Sequence, residues 1–202
     1  ESFPNHISLS HSETVIERYK LIPEGGKLPP PEKLPINIRR KNFGNTYIRL
    51  NGKGLSSTLV PGNNAFPVHP KLNRSLTPRE AARIQTFPDS HIFIGNRREQ
   101  CILVGNAVAP IVASKIALNL KKSLSKNNNF TNQNLVEVTE KVSNNEKVSS
   151  KNKFNFIDFF SGAGGITIGL KNSGMNAILS SDFDESVKET HELNFPNIPF
   201  VY

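Results

Sequence analysis

Residues 156–170, FIDFFSGAGGITIGL, decide the fold of this 202-residue chain. The apolar residues 156–160, interrupted by Asp158, predict a buried parallel strand, and a glycine-rich turn at residues 162–165 follows. A helical pattern comes next, with Gly174 as its predicted C-cap. A strand, a glycine turn and a helix in this order present backbone N–H groups to a ligand. The stretch therefore predicts a nucleotide-like binding site in an α/β sheet.

The second predicted strand, residues 177–181, ends at Asp182, which lies 20 residues after Gly162. A carboxylate at this place is positioned to accept hydrogen bonds from a ribose diol. The turn is not the dinucleotide pattern G-x-G-x-x-G, because Thr167 occupies the place of the third glycine. A second helix and the start of a third strand are predicted at residues 185–193 and 199–201.

Three motifs point to one family. Residues 158–165, DFFSGAGG, resemble motif I of the DNA (cytosine-5) methyltransferases, which bind S-adenosylmethionine. Residues 74–88, RSLTPREAARIQTFP, resemble motif IX of that family, and residues 104–110, VGNAVAP, resemble its motif X. In the usual order motif I opens the polypeptide and motifs IX and X close it, whereas here they come first. The chain is therefore identified as a circularly permuted member, the resemblance covering residues 3–110 and 154–202.

The resemblance implies a fold class and a division of the chain. The fold class is α/β, an incomplete Rossmann-like S-adenosylmethionine-dependent methyltransferase fold with part of a small recognition region rich in loops and strands. Residues 1–73 would be the end of that target-recognition region, and residues 74–122 would carry motifs IX and X. The Asn-rich residues 123–152 predict a flexible linker. Residues 153–202 would begin the cofactor-binding domain.

The resemblance also implies a site for S-adenosyl-L-methionine. The implied cofactor-binding residues are Phe160, Ser161, Gly162, Gly164, Gly165, Asp182, Phe183, Asn106, Ala107 and Val108. Glycines are expected in the loop because a Cβ atom would hold the backbone away from the methionine part. Asp182 would anchor the ribose, Phe183 would pack on the adenine face, and residues 106–108 would close the amino-acid end.

Structural alternatives remain open for several of these residues. A phenylalanine that follows a strand, such as Phe183, is often a core residue, and an aspartate at a strand end, such as Asp182, is often a helix N-cap. Asp158 is expected to orient the loop rather than to bind the ligand.

Catalytic residues are not expected in this chain. The family attacks cytosine with a cysteine in a Pro-Cys motif, assisted by a Glu-Asn-Val motif and an arginine-rich segment, after the base is flipped out of the duplex. None of these motifs occurs in the sequence, and the single cysteine, Cys101, stands at a structural place just before motif X. No metal ligand is predicted either. The missing motifs are expected downstream of Tyr202 or in a second polypeptide, unless the chain is a remnant; its abrupt ends favour a fragment.

The charge is unevenly distributed. Residues 1–122 hold 18 lysines and arginines against 8 acidic residues, whereas residues 153–202 hold 3 against 6. A basic first part predicts binding to duplex DNA through its phosphates, although a solvated basic face is the alternative. The candidate DNA-binding residues are Arg39, Arg40, Arg49, Arg79 and Arg83. For Arg79 and Arg83, ion pairs within the protein are an equal alternative.

Further helices and strands are predicted in the first part. Thr77, Pro78 and Glu80 predict a helix start with a capping box, and Pro88 its end. A second helix begins at Pro110, with an alanine-rich face suited to packing on a sheet. A short helix and two strands are predicted at residues 13–21, 47–50 and 57–60.

The predicted function is that of a DNA (cytosine-5-)-methyltransferase in a restriction-modification system, with this chain inactive alone. A non-catalytic DNA-binding subunit or a remnant of such an enzyme is the alternative. The sequence has neither a run of 18 apolar residues nor a signal-peptide pattern, so no membrane partner and a bacterial cytoplasmic location are expected.

Overall fold

The computed structural model describes residues 3–39, 47–62, 65–126 and 154–202. Two short 3₁₀ helices lie at Pro31–Lys33 and Ile36–Ile38. The α-helices are α1 Glu13–Lys20, α2 Pro78–Ile84, α3 Arg97–Asn106, α4 Pro110–Lys126, α5 Gly165–Asn172 and α6 Glu185–Asn194. The strands are β1 Asn155–Phe159, β2 Asn176–Ser181 and β3 Phe200–Val201. Arg40 and most of the predicted linker, residues 127–152, lie outside the described residues, while residues 123–126 continue α4.

The last segment forms a small parallel sheet in the order β1-β2-β3. Asp158 of β1 lies beside Ser180 of β2, which lies beside Phe200 of β3. Helices α5 and α6 connect the strands, so the predicted strand–turn–helix pattern is confirmed as an α/β arrangement. The predicted burial of the first strand is wrong, because only Asp158 of β1 is buried and Phe159 is 64% exposed.

Helix α5 ends as its sequence predicts. Gly174 has a φ of +78°, and its N–H donates to the carbonyl of Lys171 at 2.8 Å. The N–H of Met175 donates to the carbonyl of Leu170 at 3.1 Å. These two bonds form a Schellman motif, in which a left-handed residue, usually glycine, closes the last turn.

Helix α2 begins at the predicted capping box. Thr77 Oγ1 accepts from the N–H of Glu80 at 3.1 Å, and Glu80 Oε2 accepts from the N–H of Thr77 at 2.9 Å. Burial opposes ionisation of Glu80, but its bonds to Arg74 and Thr77 outweigh burial and lower its pKa to about 2. The predicted end at Pro88 is wrong, because the helix stops at Ile84 and Thr86 turns the chain with a φ of +66°.

Helix α3 was not predicted. The side chain of Asn96 accepts from the N–H groups of Arg98 and Glu99 at 2.9 and 3.2 Å. Glu99 reaches back to the N–H of Asn96 at 2.7 Å, which completes a second capping box. Cys101 lies fully buried on this helix, where its thiol fills core volume. The spacing of Asn96 and Glu99 is the signal that could have located the helix.

Helix α4 packs against α5 rather than directly on the sheet. Ala113 and Ala117 form the buried face that was predicted, but Ala113 meets Gly169 of α5. Ser114 Oγ donates to the carbonyl of Gly169 at 2.9 Å, and Lys121 Nζ donates to that of Ser173 at 2.6 Å. The predicted partner of this face is therefore corrected from a sheet to a helix.

By length and hydropathy alone, Arg97–Ser125 passes the criterion for a membrane-spanning helix. In the structure this stretch is the two helices α3 and α4, separated by residues 107–109, and its buried side chains belong to the protein core. A core helix of a soluble protein passes the same criterion, so the finding is weak support for a membrane segment.

One core joins the two parts of the chain. It includes Phe66, Phe87 and Phe93 from the first part and Ala163 and Val187 from the last. Tyr19, Ile22, Tyr47 and Val68 form a smaller cluster around α1. The predicted strand at residues 57–60 is not formed, and Val68 instead bridges to Arg49 and to Ser75.

Hydrogen bonds also cross between the two parts. The side chain of Asn194 accepts from the N–H of Ile92 at 2.9 Å and donates to its carbonyl at 2.7 Å. The N–H of Ile94 donates to Thr190 Oγ1 at 3.0 Å. The loop at residues 92–94 is thereby tied to α6.

The contact between α4 and α5 predicts that alanine at position 169 destabilises the protein, although alanine normally stabilises a helix relative to glycine. Alanine is the better helix former by about 1 kcal/mol, yet a Cβ at Gly169 would overlap Ala113 and come within 2.6 Å of the carbonyl of Pro110. Gly169→Ala should therefore lower the free energy of unfolding by about 1–3 kcal/mol, measured by urea denaturation. Asn172→Ala, at an exposed position of the same helix, is the control and should change it little. A stabilised Gly169→Ala variant would contradict the packing.

His91 predicts a loss of stability in acid. Burial lowers its pKa from 6.5 to about 4, so the unfolded chain takes up the proton first. The stabilisation is complete above the pKa of His91 in the unfolded chain. It is lost as the pH falls towards the pKa of His91 in the folded protein. Between about pH 7 and about pH 5, His91 should remove about 2 kcal/mol from the free energy of unfolding. Urea denaturation of His91→Phe should show a correspondingly weaker pH dependence; equal dependence in both proteins would contradict the assignment.

Candidate cofactor site

The loop between β1 and α5, residues 160–164, stands at the carboxyl end of the sheet, where α/β proteins bind ligands. Phe160, Gly162 and Gly164 have φ values of +56°, +51° and +80°. A phenylalanine in the left-handed region is uncommon, and such strain is concentrated at functional sites. The backbone thereby turns twice within five residues.

Asp182 ties this loop to the end of β2. Its Oδ2 accepts from the N–H of Gly162 at 3.0 Å. Its Oδ1 accepts from the N–H groups of Phe183 and Asp184 at 2.8 and 3.2 Å. The N-cap alternative for Asp182 is wrong, because Asp184 caps α6 through the N–H of Ser186 at 2.9 Å. This half-buried carboxylate therefore links the two loops and keeps one of its roughly four lone pairs, on Oδ2.

Gly164, at the end of the loop, and Gly165, at the start of α5, are required by packing within the protein. A Cβ at Gly164 would come within 2.5 Å of the ring of Phe195, and a Cβ at Gly165 would overlap the carbonyl oxygen of Val108. A Cβ at Gly162 would meet open space. Glycines were expected here because a ligand would come close to the backbone. At Gly164 and Gly165 the close approach of neighbouring protein segments is a further reason.

Asp158 sits beneath the loop and is buried. Its Oδ2 accepts from Thr167 Oγ1 at 2.6 Å. Burial raises the pKa of Asp158, while the bond from Thr167 opposes the rise. This carboxyl group links β1 to α5, which suits the orienting role predicted for it.

Two phenylalanine rings project from the site. Phe160 is 77% exposed and Phe183 is 76% exposed, and their centroids lie 6.5 Å apart in an edge-on arrangement. The core alternative for Phe183 is therefore wrong. These two exposed rings provide apolar surface that a planar ligand would cover.

The loop also holds a buried hydroxyl group without a partner. Ser161 is 7% exposed, and its Oγ finds no hydrogen-bond partner among the described residues. Because buried polar atoms are rarely left unpaired, this oxygen is available to a ligand.

Motif X reaches the same place from the first part of the chain. The carbonyl of Val108 lies against Gly165 at the start of α5. The carbonyl of Ala107 accepts from Gln85 Nε2 at 3.3 Å, which holds motif X to α2. The side chain of Asn106 is exposed. The structure thus brings Val108 to the loop, as predicted, although the two motifs lie far apart in the sequence.

Arg49 does not belong to a DNA-binding surface. It is 5% exposed, and its guanidinium group donates to five oxygens at 2.6–2.8 Å. These are the carbonyls of Ile22, His69, Leu72 and Tyr19, and Oδ1 of Asn73. The prediction for Arg49 is corrected: its donors are used within the protein.

Arg79 is corrected in the same way. It is 1% exposed and donates to the carbonyls of Pro4, Pro88 and His91 and to Oδ1 of Asn5, at 2.6–3.2 Å. It therefore anchors the N-terminal segment and the loop after α2. The positive charge of Arg79 therefore stabilises the fold.

Arg39 and Arg83 remain at the surface. Arg39 is exposed and donates to the carbonyl of Leu34 at 3.2 Å. Arg83 forms a two-bond ion pair with Asp89, each bond 2.8 Å long, and stacks over Phe3 at 4.7 Å. Arg39 is therefore exposed as a phosphate-binding residue would be, whereas Arg83 forms the ion pair within the protein that was its alternative.

A surface cleft of about 310 Å³, which was not predicted, lies beside Arg83. The side chains of Asn51, His69 and Glu80 contribute to its lining. His69 Nδ1 accepts from the N–H groups of Lys71 and Leu72 at 3.0 Å each, so its Nε2 carries the proton and faces Glu80 at 3.8 Å. No short motif marks this cleft, because residues from three separate stretches of chain form it.

The two arginines of α2 predict a contrast in stability. Arg79→Met retains the length of the side chain but removes four hydrogen bonds, among them the one to the buried carbonyl of His91, and should lower the free energy of unfolding by about 2–4 kcal/mol. Arg83→Met, one turn later and exposed, is the matched control and should leave the melting temperature nearly unchanged. Thermal unfolding of both variants tests the contrast, and equal melting temperatures would refute the buried role of Arg79.

Comparison with known proteins gives a family. A family profile described as C-5 cytosine-specific DNA methylase matches residues 10–122 and 154–201. These two stretches include the loop, Asp182 and motif X, and together make up most of the chain.

Individual relatives agree with this match. The type II methyltransferase M1.HphI of Haemophilus parahaemolyticus is 37% identical over 117 residues, which are 56% of this chain and 30% of that protein. M.AquIB of Picosynechococcus sp., also a type II methyltransferase, is 32% identical over 131 residues, 59% of this chain and 88% of the relative. DNA (cytosine-5)-methyltransferase 1 of Mus musculus is 38% identical over 91 residues, 43% of this chain and 6% of the relative. The chain thus spans less than a third of two of these proteins and most of the other.

Proposed function

The chain belongs to the C-5 cytosine-specific DNA methylase family, and on that premise we propose that it forms the cofactor-binding part of a DNA (cytosine-5-)-methyltransferase. The proposed reaction moves a methyl group from S-adenosyl-L-methionine to C5 of a cytosine in duplex DNA, in a bacterial restriction-modification system of the cytoplasm. One observation carries the proposal. The carboxylate of Asp182 accepts from the N–H of Gly162 while two exposed rings, Phe160 and Phe183, stand beside it.

The residues present fit this cofactor. Asp182 keeps one lone pair, on Oδ2, for a ribose hydroxyl, and the exposed ring of Phe183 suits the adenine face. The unpartnered Ser161 Oγ and the N-terminus of α5 suit the amino-acid end, which residues 106–108 would close. S-adenosylmethionine, when bound, supplies an electrophilic methyl group; the residues of this chain bind and orient it.

We infer that the chain is circularly permuted, with the residues between the end of α4 at Lys126 and the start of β1 at Asn155 as the tether. Two contacts support this inference. Helix α4, which follows motif X, packs along α5, which follows motif I. The carbonyl of Val108 lies at the start of α5. Because motif X and α4 lie next to motif I and α5, a flexible segment can join them in the chain without moving either motif.

The catalytic cysteine is proposed to come from a downstream segment or a second polypeptide. Ile157, Phe159 and Val201 lie on one face of the sheet and are 39%, 64% and 54% exposed. Parallel sheets are normally covered on both faces, so an apolar face left bare by the described residues supports a further covering segment. The alignment with M.AquIB takes up 88% of that relative, which supports a separate polypeptide made chiefly of this region.

A non-catalytic DNA-binding subunit is the second candidate. The 18 lysines and arginines against 8 acidic residues in residues 1–122 favour it. Binding to duplex DNA that weakens steeply with salt and does not respond to S-adenosylmethionine would select this candidate over the first.

Asp182→Asn tests the proposed cofactor site. The amide retains the shape of the side chain but loses the charged acceptor, so binding of S-adenosylmethionine should weaken about 10- to 100-fold. Isothermal titration calorimetry at constant pH measures the dissociation constants. Glu185→Gln, an exposed residue three positions later, removes the same charge and should not change the affinity. Equal affinity of Asp182→Asn and the unaltered chain would refute the assignment.

A further inference from the structure

The ring of Phe195, which directly follows α6, is buried where the first part of the chain meets the loop at residues 160–164. It is 6% exposed. Its centroid lies 4.9 Å from that of His191 in α6 and 5.8 Å from that of His91 in the first part. Nζ of Lys171 in α5 lies 5.4 Å from the same centroid, which is within the range of a cation–π contact. Three separate stretches of chain therefore fix the position of this ring.

The ring packs against Gly164 at a distance that only glycine permits. A Cβ at Gly164 would come within 2.5 Å of Cε2 and 2.9 Å of Cζ of Phe195, closer than real Cβ atoms approach other heavy atoms. Gly164 is the N-cap of α5 and has left-handed backbone, with a φ of +80°. The ring therefore occupies the side of this turn where any other residue would place its side chain.

The two halves of the loop are held in different ways. The N–H groups of Ser161 and Gly162 donate to the carbonyl of Ser181 and to Oδ2 of Asp182, at 3.0 Å each, so the first half is bonded to the end of β2. The N–H of Gly164 donates to the carbonyl of Ser161 at 2.9 Å, which is a bond within the loop. The three heavy atoms nearest to the Cβ position of Gly164 all belong to the ring. Packing therefore supports the second half of the loop from outside.

The residue before Phe195 ties the same point to the first part of the chain. The side chain of Asn194 bonds both the N–H and the carbonyl of Ile92, at 2.9 and 2.7 Å. The N–H of Phe195 donates to the carbonyl of His191 at 2.8 Å, so its backbone is fixed to α6 as well. The docking of the first part against α6 therefore determines where the ring lies.

We propose that Phe195 is a positioning residue for the cofactor loop, residues 160–164: the edge of its ring holds the left-handed turn at Gly164 and so keeps the N–H of Gly162 and the hydroxyl of Ser161 in their binding geometry. The inference rests on the proposed function of that loop. A leucine would fill much of the same volume, but it has no flat edge to lie beside the glycine. The ring thus makes the shape of the loop depend on the docking of the two parts of the chain.

A ring-deleting pair of variants of the full chain separates positioning from loss of stability. Phe195→Leu should weaken binding of S-adenosylmethionine about 3- to 10-fold, because the binding-competent loop would be populated only part of the time. Tyr19→Leu removes a ring that is 1% exposed in the separate cluster around α1 and should leave the affinity unchanged. Isothermal titration calorimetry below the melting temperature of each variant measures the affinities. Equal affinity of Phe195→Leu and the unaltered chain would overturn the inference.

A double-mutant cycle tests whether the ring and the glycine act through each other. Gly164→Ala alone should weaken binding about 10-fold, because its Cβ meets the ring. In the Phe195→Leu background the same change should cost at least about 3-fold less, since the ring edge is gone. The strain of a left-handed alanine is present in both backgrounds and cancels. Losses that simply multiply would show that the two residues act independently and would refute the proposal.

Amide hydrogen exchange gives a readout that needs no cofactor. In the free protein, Phe195→Leu should speed exchange at Gly162 and Gly164, whose N–H groups are bonded to Asp182 and to the carbonyl of Ser161. Tyr19→Leu should not, because loop amides exchange through local opening. Unchanged exchange in Phe195→Leu, or equal acceleration in Tyr19→Leu, would contradict the positioning role. If the unaltered chain fails to bind S-adenosylmethionine, the proposed function fails, while exchange at these two glycines still decides the role of Phe195.

Discussion

The close approach of α4 to α5 is the contact on which the rest of this structure depends. Small side chains allow it, because Ala113 meets Gly169 and no Cβ would fit at Gly169. Hydrogen bonds from Ser114 and Lys121 to carbonyls of α5 and its C-cap then hold the helices in register. Since motif X precedes α4 and the glycine loop precedes α5, this one contact places two distant motifs side by side. Without it, Val108 would not reach Gly165.

The loop at residues 160–164 has a strained backbone, and hydrogen bonds to its N–H groups compensate for that strain. Phe160 and Gly162 adopt left-handed backbone, and the N–H groups released by the turn are bonded to Asp182 and to the carbonyl of Ser181. The same geometry leaves the rings of Phe160 and Phe183 in solvent and the hydroxyl of Ser161 without a partner. These exposed rings and this unpartnered hydroxyl group are the features that support the proposed cofactor site.

Local signals were predictable where neighbouring residues determine the geometry. The capping box of Thr77 and Glu80, the left-handed Gly174 and the strands around Asp158 followed from spacing alone. The end of α2 and the whole of α3 were missed, although Asn96 and Glu99 carry a capping signal. Charge was the poorest guide, because a formal charge does not reveal whether an arginine faces solvent. Arg79 is only 1% exposed and Arg49 only 5% exposed.

The sequence by itself determined the α/β pattern, the glycine turn, the place of Asp182 at a strand end and the family resemblance, because each depends on residues within one short stretch. Only the tertiary structure decided which arginines are used inside the protein, that α4 packs on a helix, and that the ring of Phe195 packs against Gly164. These features join residues from opposite ends of the chain. Their contacts depend on how the two parts dock, which no short-range pattern encodes.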